Sequence, residues 1–167
     1  LSHMESGNLV VSLKPCRLYS ICKDAIDSVL HRVEQGVSLT LSMQDESFVL
    51  NTDPVRFQQM LLNLLTNAAK FTHQGKIDLA VYINEEQRQV RVEVTDTGCG
   101  IPPDKQEKVF GRFEKLDDYV QGAGLGLAIC KMIAEQLGGS VYIDSAYTDG
   151  ARFVFIHPFD VPGINKV

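Results

Sequence analysis

No stretch of this 167-residue chain approaches the roughly 18 consecutive apolar residues of a membrane-spanning helix, and no signal-peptide pattern opens it. The segment is therefore expected to be soluble and cytoplasmic, without direct membrane contact, even as the soluble end of a longer membrane protein. It also lacks a basic block. Lys and Arg total 16 against 21 Asp and Glu, for a net charge of −5. That balance disfavours a nucleic-acid partner, because neutralising backbone phosphates requires a basic surface. Cysteine is sparse and unpatterned: Cys16, Cys22, Cys99 and Cys130 include no C-x-x-C pair and no histidine at zinc-ligand spacing. They read as free, mostly buried thiols of a reducing compartment, with Cys99 set apart because it lies in a glycine turn. Internal repeats and low-complexity tracts are absent too. What remains, 44% hydrophobic and 22% charged residues, suits one globular domain with a proper core.

Periodicity divides the chain into short elements. Residues 9–13 form a strand candidate ended by Pro15. Apolar residues at 18, 21, 22, 25, 26, 29, 30 and 33 predict a helix over 18–33. Two strand candidates, 37–43 and 48–51, are expected to pair as a hairpin. Asp53-Pro54 reads as an N-cap followed by proline at the first helical position, opening a helix to about Phe71. Residues 77–83 and 90–95 alternate as paired strands. Pro102-Pro103-Asp104 predicts a further helix to about Phe110, residues 111–122 a mobile loop, and 125–137 a helix stopped by Gly138-Gly139. Strands at 140–144 and 152–156 close the chain around Asp149-Gly150. The expected class is α+β: a two-layer sandwich, its mixed, mostly antiparallel sheet covered on one face by about three helices.

The chemistry concentrates in three segments. In Asn63-Leu64-Leu65-Thr66-Asn67-Ala68-Ala69-Lys70-Phe71, a step of about 100° per residue places Asn63, Asn67 and Lys70 within some 60° of one another. Leu61, Leu65 and Ala68 form an opposite apolar stripe. A merely solvated polar face is the plainer reading. Against it, asparagine costs roughly 0.6 kcal/mol relative to alanine inside a helix, and this helix carries two in an apolar context. A carboxamide oxygen suits Mg²⁺ already bound to phosphate, and a lysine suits phosphate itself.

The second segment, Asp96-Thr97-Gly98-Cys99-Gly100-Ile101, ends a strand with an acid and two glycines that permit close backbone approach. A carboxylate there can accept a hydrogen bond from an exocyclic amine such as adenine's, although Asp-x-Gly turns are common. The third, Gly122-Ala123-Gly124-Leu125-Gly126-Leu127, leads into a helix whose free N–H groups favour anions. It is neither a P-loop nor a strand-linked dinucleotide motif.

Together these segments resemble the ATP-binding catalytic domain of sensor histidine kinases, within the ATPase superfamily shared with type II topoisomerases, the heat-shock chaperone ATPase and mismatch-repair ATPases. Asn63 to Asn67 with Lys70-Phe71-Thr72 resembles the N box, and Asp96 to Pro102 the first glycine box. Val109-Phe110-Gly111-Arg112-Phe113 resembles the phenylalanine box, and Gly122 to Leu127 the second glycine box. Four ordered boxes cover nearly the whole chain. The resemblance implies the Bergerat fold, ATP with Mg²⁺ as cofactors, and a role for each matching residue. Asn67 would ligate the metal. Asn63 and Lys70 would work at the phosphates as the catalytic pair, and Phe71 would pack near the nucleotide. Asp96 would read the adenine amine. Gly98, Gly100, Ile101, Phe113, Gly122, Gly124, Leu125, Gly126 and Leu127 would complete the nucleotide site, with residues 111–122 as a short lid. Ala123 and Ala151 depart from frequent hydroxyl residues, at a cost of about 1 kcal/mol each for a neutral hydrogen bond.

The resemblance also divides the chain into residues 1–8, the end of a dimerisation helix or linker, 9–160, the ATP domain, and 161–167, a tail or linker. Leu1-Ser2-His3-Met4-Glu5-Ser6-Gly7 reads as a last helical turn stopped at glycine, with a cloning origin for Ser2-His3-Met4 as the alternative. Hydrolysing relatives would carry a glutamate base where Asn63 stands, so transfer to a protein histidine is favoured over hydrolysis. None of His3, His31, His73 and His157 lies in a phosphoacceptor box. The acceptor is expected on an upstream dimerising hairpin, with a homodimer and a response-regulator receiver domain as partners. A hydrolytic ATPase, a nucleotide-binding scaffold and a serine kinase of the same superfamily are the alternatives.

Overall fold

The computed structural model describes residues 10–111 and 126–161. Strand β1 (Lys14–Arg17) leads directly into helix α1 (Leu18–Val29), followed by a 3-10 turn, Leu30–Arg32. Strands β2 (Ser38–Met43) and β3 (Val49–Thr52) precede the long helix α2 (Pro54–Phe71). Strands β4 (Lys76–Asn84) and β5 (Gln89–Asp96), two 3-10 turns (Pro103–Lys105 and Lys108–Phe110), helix α3 (Gly126–Gln136), and strands β6 (Ser140–Ile143) and β7 (Ala151–Pro158) complete the described elements.

The main sheet runs β2-β4-β5-β7-β6, antiparallel throughout except for the parallel β2–β4 pair. Strand β5 alternates strictly between half-buried and buried residues. Val90, Val92 and Val94 point under the helices, while Arg91, Glu93 and Thr95 line the other face. There Arg91 Nε meets Glu93 at 2.6 Å and Arg152 Nε donates to Thr95 Oγ1 at 3.0 Å. One apolar and one polar face make this the expected two-layer α+β sandwich. Phe57, Leu61, Leu64 and Leu65 of α2 pack into one core with Leu79, Val92, Phe153 and Phe155. The Phe57 and Phe155 ring centroids lie 5.4 Å apart.

Helix α2 begins as its sequence dictates. Asp53 Oδ1 accepts from Val55 N at 3.0 Å and Arg56 N at 3.1 Å, and Pro54 takes the first turn, where no N–H is needed. Asp53 Oδ2 also accepts from Ser12 N at 2.9 Å, tying the N-terminal segment to the helix start.

Four expectations are corrected. The first strand is not residues 9–13: pairing starts at Lys14, and Pro15 lies within it, opposite Asn51. A two-stranded ribbon leaves each strand an open edge, where a residue without N–H is tolerated. Helix α1 stops at Val29 rather than 33, and Leu30 is exposed. Strands β2 and β3 do not form a hairpin. Strand β3 pairs antiparallel with β1, and β2 lies parallel beside β4, from Ser38 opposite Lys76 to Met43 opposite Val81. Alternation specifies which face of a strand is buried but not its neighbour, and the β3–α2 segment supplies the long crossover that parallel pairing needs. Finally, the helix expected from Pro102 to Phe110 is two separate 3-10 turns. Adjacent prolines remove two N–H donors, and Gln106 Nε2 takes the Ile101 carbonyl at 3.1 Å. Only Val109 and Phe110 anchor this segment, Phe110 standing edge-on to Phe153 with centroids 6.0 Å apart.

Candidate functional site

Helix α2 buries Leu61, Leu64, Leu65 and Ala68 against the sheet and turns its polar stripe to an open cleft. Arg32, Asn63, Thr66, Asn67, Lys70, Gly126 and Leu127 line this cleft, about 450 Å³ in volume. Asn63 Nδ2 donates to the Gly126 carbonyl at 3.2 Å, fastening the start of α3 to the middle of α2. The first turn of α3 thus faces the asparagines, and the N-terminal end of a helix attracts anions. Asn67 is 6% exposed, and its Nδ2 has no hydrogen-bond partner. Lys70 is exposed at the rim, its Nζ 5.9 Å from the centroid of the Phe71 ring.

The acidic turn abuts the C-terminal end of the same helix. Asp96 closes β5 and is 1% exposed. Its Oδ1 accepts from Gly98 N at 2.8 Å and Ala151 N at 3.1 Å, while Oδ2 is buried without a partner. Burial pushes the carboxyl above its ordinary range, and the two N–H donors oppose that shift. Tyr147 Oη donates to the Asp96 carbonyl at 2.9 Å.

Glycine is required in this turn for a specific reason. A Cβ on Gly98 would stand 2.3 Å from the Phe71 carbonyl oxygen and 3.0 Å from Thr72 Oγ1. Backbone is therefore pressed on backbone, and the turn is seated on the last residues of α2. Gly100 adopts φ 72°, in the left-handed region. Ile101 is buried beneath the turn.

Three buried side-chain atoms lack hydrogen-bond partners among the described residues: Asn67 Nδ2, Thr72 Oγ1 and Asp96 Oδ2. All three belong to this site. Leaving such a group unpaired costs about 1–3 kcal/mol, and three in one place describe a surface shaped for a polar ligand. The Asn67 amide can turn over to present oxygen at the same point, since its orientation follows from its partners.

The sequence-predicted residues therefore fall into two joined groups. Asn63, Asn67, Lys70, Gly126 and Leu127 share the cleft, and Phe71, Asp96 and Gly98 meet at the end of α2, while Gly100 is set against the Gly150 backbone. Phe113, Gly122, Gly124 and Leu125, with the expected lid beyond Gly111, lie outside the described residues. Arg32, Thr66, Thr72 and Tyr147 join the site without having been singled out. Thr66 was within reach of helical spacing, being three residues from Asn63 on the same face. Arg32 lies 31 residues before Asn63 and had no local signal. The cysteines follow expectation: Cys16, Cys22 and Cys130 are buried and free, Cys99 is exposed, and burial pushes Cys22 and Cys130 up to about 12.

Residues 52–161, which hold both groups of the site, match the family described as histidine kinase-, DNA gyrase B-, and HSP90-like ATPase. The chain belongs to this ATPase family. Among its relatives, the circadian input-output histidine kinase CikA of Synechococcus elongatus is 34% identical over 161 residues, covering 92% of this chain and 21% of CikA. The signal transduction histidine-protein kinase BarA of Escherichia coli K12 is 32% identical over 163 residues, covering 92% of this chain and 18% of BarA. The chain thus spans about a fifth of the length of these relatives. In structure it is similar to full-length ShkA, solved in complex with AMPPNP, with a TM-score of 0.83 and 29% identity over 95% of this chain and 34% of ShkA. The nucleotide-free catalytic domain of the histidine kinase ThkA gives a TM-score of 0.74 and 25% identity, covering 88% of this chain and 97% of that domain. The ATPase fold here is therefore the one that histidine-kinase catalytic domains use. Among the described residues of this family member, no helix is long and apolar enough to cross a membrane.

Proposed function

We propose that this chain is the catalytic domain of a two-component sensor histidine kinase, which transfers the γ-phosphate of ATP to a histidine on an upstream dimerising hairpin. The observation that carries this reading is the trio of unpartnered buried atoms on Asn67, Thr72 and Asp96. They span a site with a hydrogen-bond acceptor for an adenine amine at one end and amides and a lysine for phosphates at the other.

Asp96 would accept from the base through Oδ2 while Gly98 N and Ala151 N hold Oδ1 in place. Phe71, Gly98, Gly100 and Ile101 would enclose the base, and Lys70, Gly126 and Leu127 the phosphates. Phe113, Gly122, Gly124 and Leu125 are proposed to complete the nucleotide site. Mg²⁺ would be held by the Asn67 carboxamide together with the nucleotide itself. The described residues contain no cluster of three His, Cys, Asp or Glu able to hold a metal alone. When bound, that ion would neutralise charge on the transferred phosphoryl group.

The protein's own contribution is positional and electrostatic. Among the described residues that line the cleft, none is an acid or a histidine. Asn63, already donating to Gly126, cannot take a proton from water. Such a wall binds a triphosphate without a base to hydrolyse it, which supports transfer over hydrolysis. Homodimerisation and a receiver-domain partner belong to the same proposal.

Calorimetry with an unhydrolysable ATP analogue and Mg²⁺ should show binding by the parent, and Asn67→Ala should weaken it about tenfold only when Mg²⁺ is present. A variant that matches the parent with Mg²⁺ refutes the metal role. Supplying a phosphoacceptor hairpin with ATP should give phosphohistidine. Steady phosphate release without the hairpin would instead identify a hydrolase.

A further inference from the structure

Tyr147 lies outside all four motif-like segments, in the connection between β6 and β7. It reaches the base end of the site nonetheless: its Oη donates to the main-chain carbonyl of Asp96 at 2.9 Å. The half-buried tyrosine is itself held from its backbone to its ring. A turn at Asp144 sets the backbone, with Tyr147 N donating to the Asp144 carbonyl at 3.2 Å and Ala146 N to Asp144 Oδ1 at 3.1 Å. The Arg152 guanidinium carbon lies 4.4 Å from the centroid of the ring, a cation–π contact. Arg152 is fixed in turn, its Nε donating to Thr95 Oγ1 at 3.0 Å and its Nη1 lying 3.5 Å from Asp144 Oδ2. Side chains of β5, β7 and the β6–β7 connection are thereby tied into one piece around the end of β5.

Asp96 thus meets three donors. Gly98 N at 2.8 Å and Ala151 N at 3.1 Å hold Oδ1, and Tyr147 Oη holds the main-chain carbonyl. Gly150, at the far end of the same connection, is seated on that carbonyl too, since a Cβ there would collide with the Asp96 oxygen. With one carboxyl oxygen and the main chain both pinned, the buried and unpartnered Oδ2 is left with a fixed aim. Two of the three donors are backbone N–H groups that almost any sequence would supply. The third depends on a tyrosine hydroxyl. A group fixed before its ligand arrives need not be ordered on binding, and that saving appears as affinity. We propose that Tyr147 is a positioning residue: by anchoring the turn at Asp96 it keeps Oδ2 directed at the exocyclic amine of the base, and so sets how strongly the site prefers adenine, a role resting on the nucleotide-binding function proposed above. Tyr147 acts through Asp96 and not by touching the nucleotide.

Tyr147→Phe removes the hydroxyl and keeps the ring that lies against Arg152. The test is calorimetric titration of parent and variant with Mg²⁺ and either ADP or inosine diphosphate, which carries a carbonyl in place of the amine. Tyr147→Phe should weaken ADP about fivefold, as expected when one neutral hydrogen bond is lost. Inosine diphosphate offers Oδ2 no amine and should weaken by less than about twofold, so the preference for adenine narrows. In an Asp96→Asn background, Tyr147→Phe should change neither affinity by more than about twofold, because the oxygen it positions is gone. Parent-like ADP binding by Tyr147→Phe, or equal losses for the two diphosphates as a merely structural contact would give, would overturn the role of Tyr147 while leaving the nucleotide site intact. A parent that binds neither diphosphate would remove the nucleotide site itself, and this proposal with it.

Discussion

Replacing Asp96 by asparagine separates what this residue does for the fold from what it does for a ligand. The two backbone bonds to Oδ1, 2.8 Å from Gly98 N and 3.1 Å from Ala151 N, survive, because asparagine retains one carbonyl oxygen in the same place. The unpartnered Oδ2 becomes an NH₂ group. In the free protein this exchanges a buried charge for a neutral amide. Burial already holds the carboxyl above its ordinary range, so the ionised form weighs against the fold as pH rises through and beyond that range. Stability at neutral pH should therefore equal or exceed the parent's. Binding should move the other way. A donor now faces the adenine amine, and a hydrogen bond to a charged acceptor is lost, worth about 1.5–3 kcal/mol. At about 1.4 kcal/mol per decade, that is roughly a 10- to 150-fold loss of affinity for ADP. Inosine diphosphate, with a carbonyl where adenine has its amine, should lose less or gain. Urea unfolding without nucleotide and calorimetry with both diphosphates give the comparison. If Asp96→Asn binds ADP as tightly as the parent, or if it unfolds at clearly lower urea and binds both bases equally poorly, the assignment of Oδ2 to the base is wrong.

Gly98→Ala should cost about 1–3 kcal/mol in urea unfolding, because its Cβ would lie 2.3 Å from the Phe71 carbonyl oxygen and backbone must move to admit it. Asp53→Ala removes the cap of α2 and the tether to Ser12 N, with an expected loss of about 1–2 kcal/mol by the same measurement. His157, fully buried with its ring nitrogens on Thr52 Oγ1 and the Pro158 carbonyl, is pulled down by burial to about 4 from an ordinary 6.5. The unfolded chain therefore takes up this proton first. Stability from this group is complete above pH 6.5 and falls by about 3 kcal/mol as pH drops through 6.5 to below 4. A His157→Gln variant should lack that part of the acid slope in urea midpoints measured across this range.

Elements governed by neighbouring residues were legible in the sequence. The cap at Asp53, the apolar stripe of α2, the β4–β5 pair and the arrest of α3 before Gly138 all depend on contacts a few residues apart. The same locality made Asn63, Asn67 and Lys70 visible as one face. What could not be read depends on distant partners. Alternation in β2 revealed its buried face but not that its neighbour is β4, some 38 residues on, rather than β3. The Pro102 segment carried a helix-start signal, but only Val109 and Phe110 are buried in it, and the prolines leave it in 3-10 turns. Thr72 gave no hint of its status, since being unpartnered depends on the turn at Gly98 closing over it.

The parallel β2–β4 pair sets how much chain the site requires. Between these strands the polypeptide passes through β3 and the whole of α2, so the helix bearing the asparagines is a loop of a larger closed circuit. Strand β2, the β1 edge that completes β3, and the apolar side of α1 all come from before residue 52, where the family-typical segment starts. A fragment limited to that segment would bare Leu50's neighbours and one flank of α2 to water and would carry no Arg32. The described chain before residue 52 thus covers part of the core that the family-typical segment shares, and it brings one residue, Arg32, to the cleft.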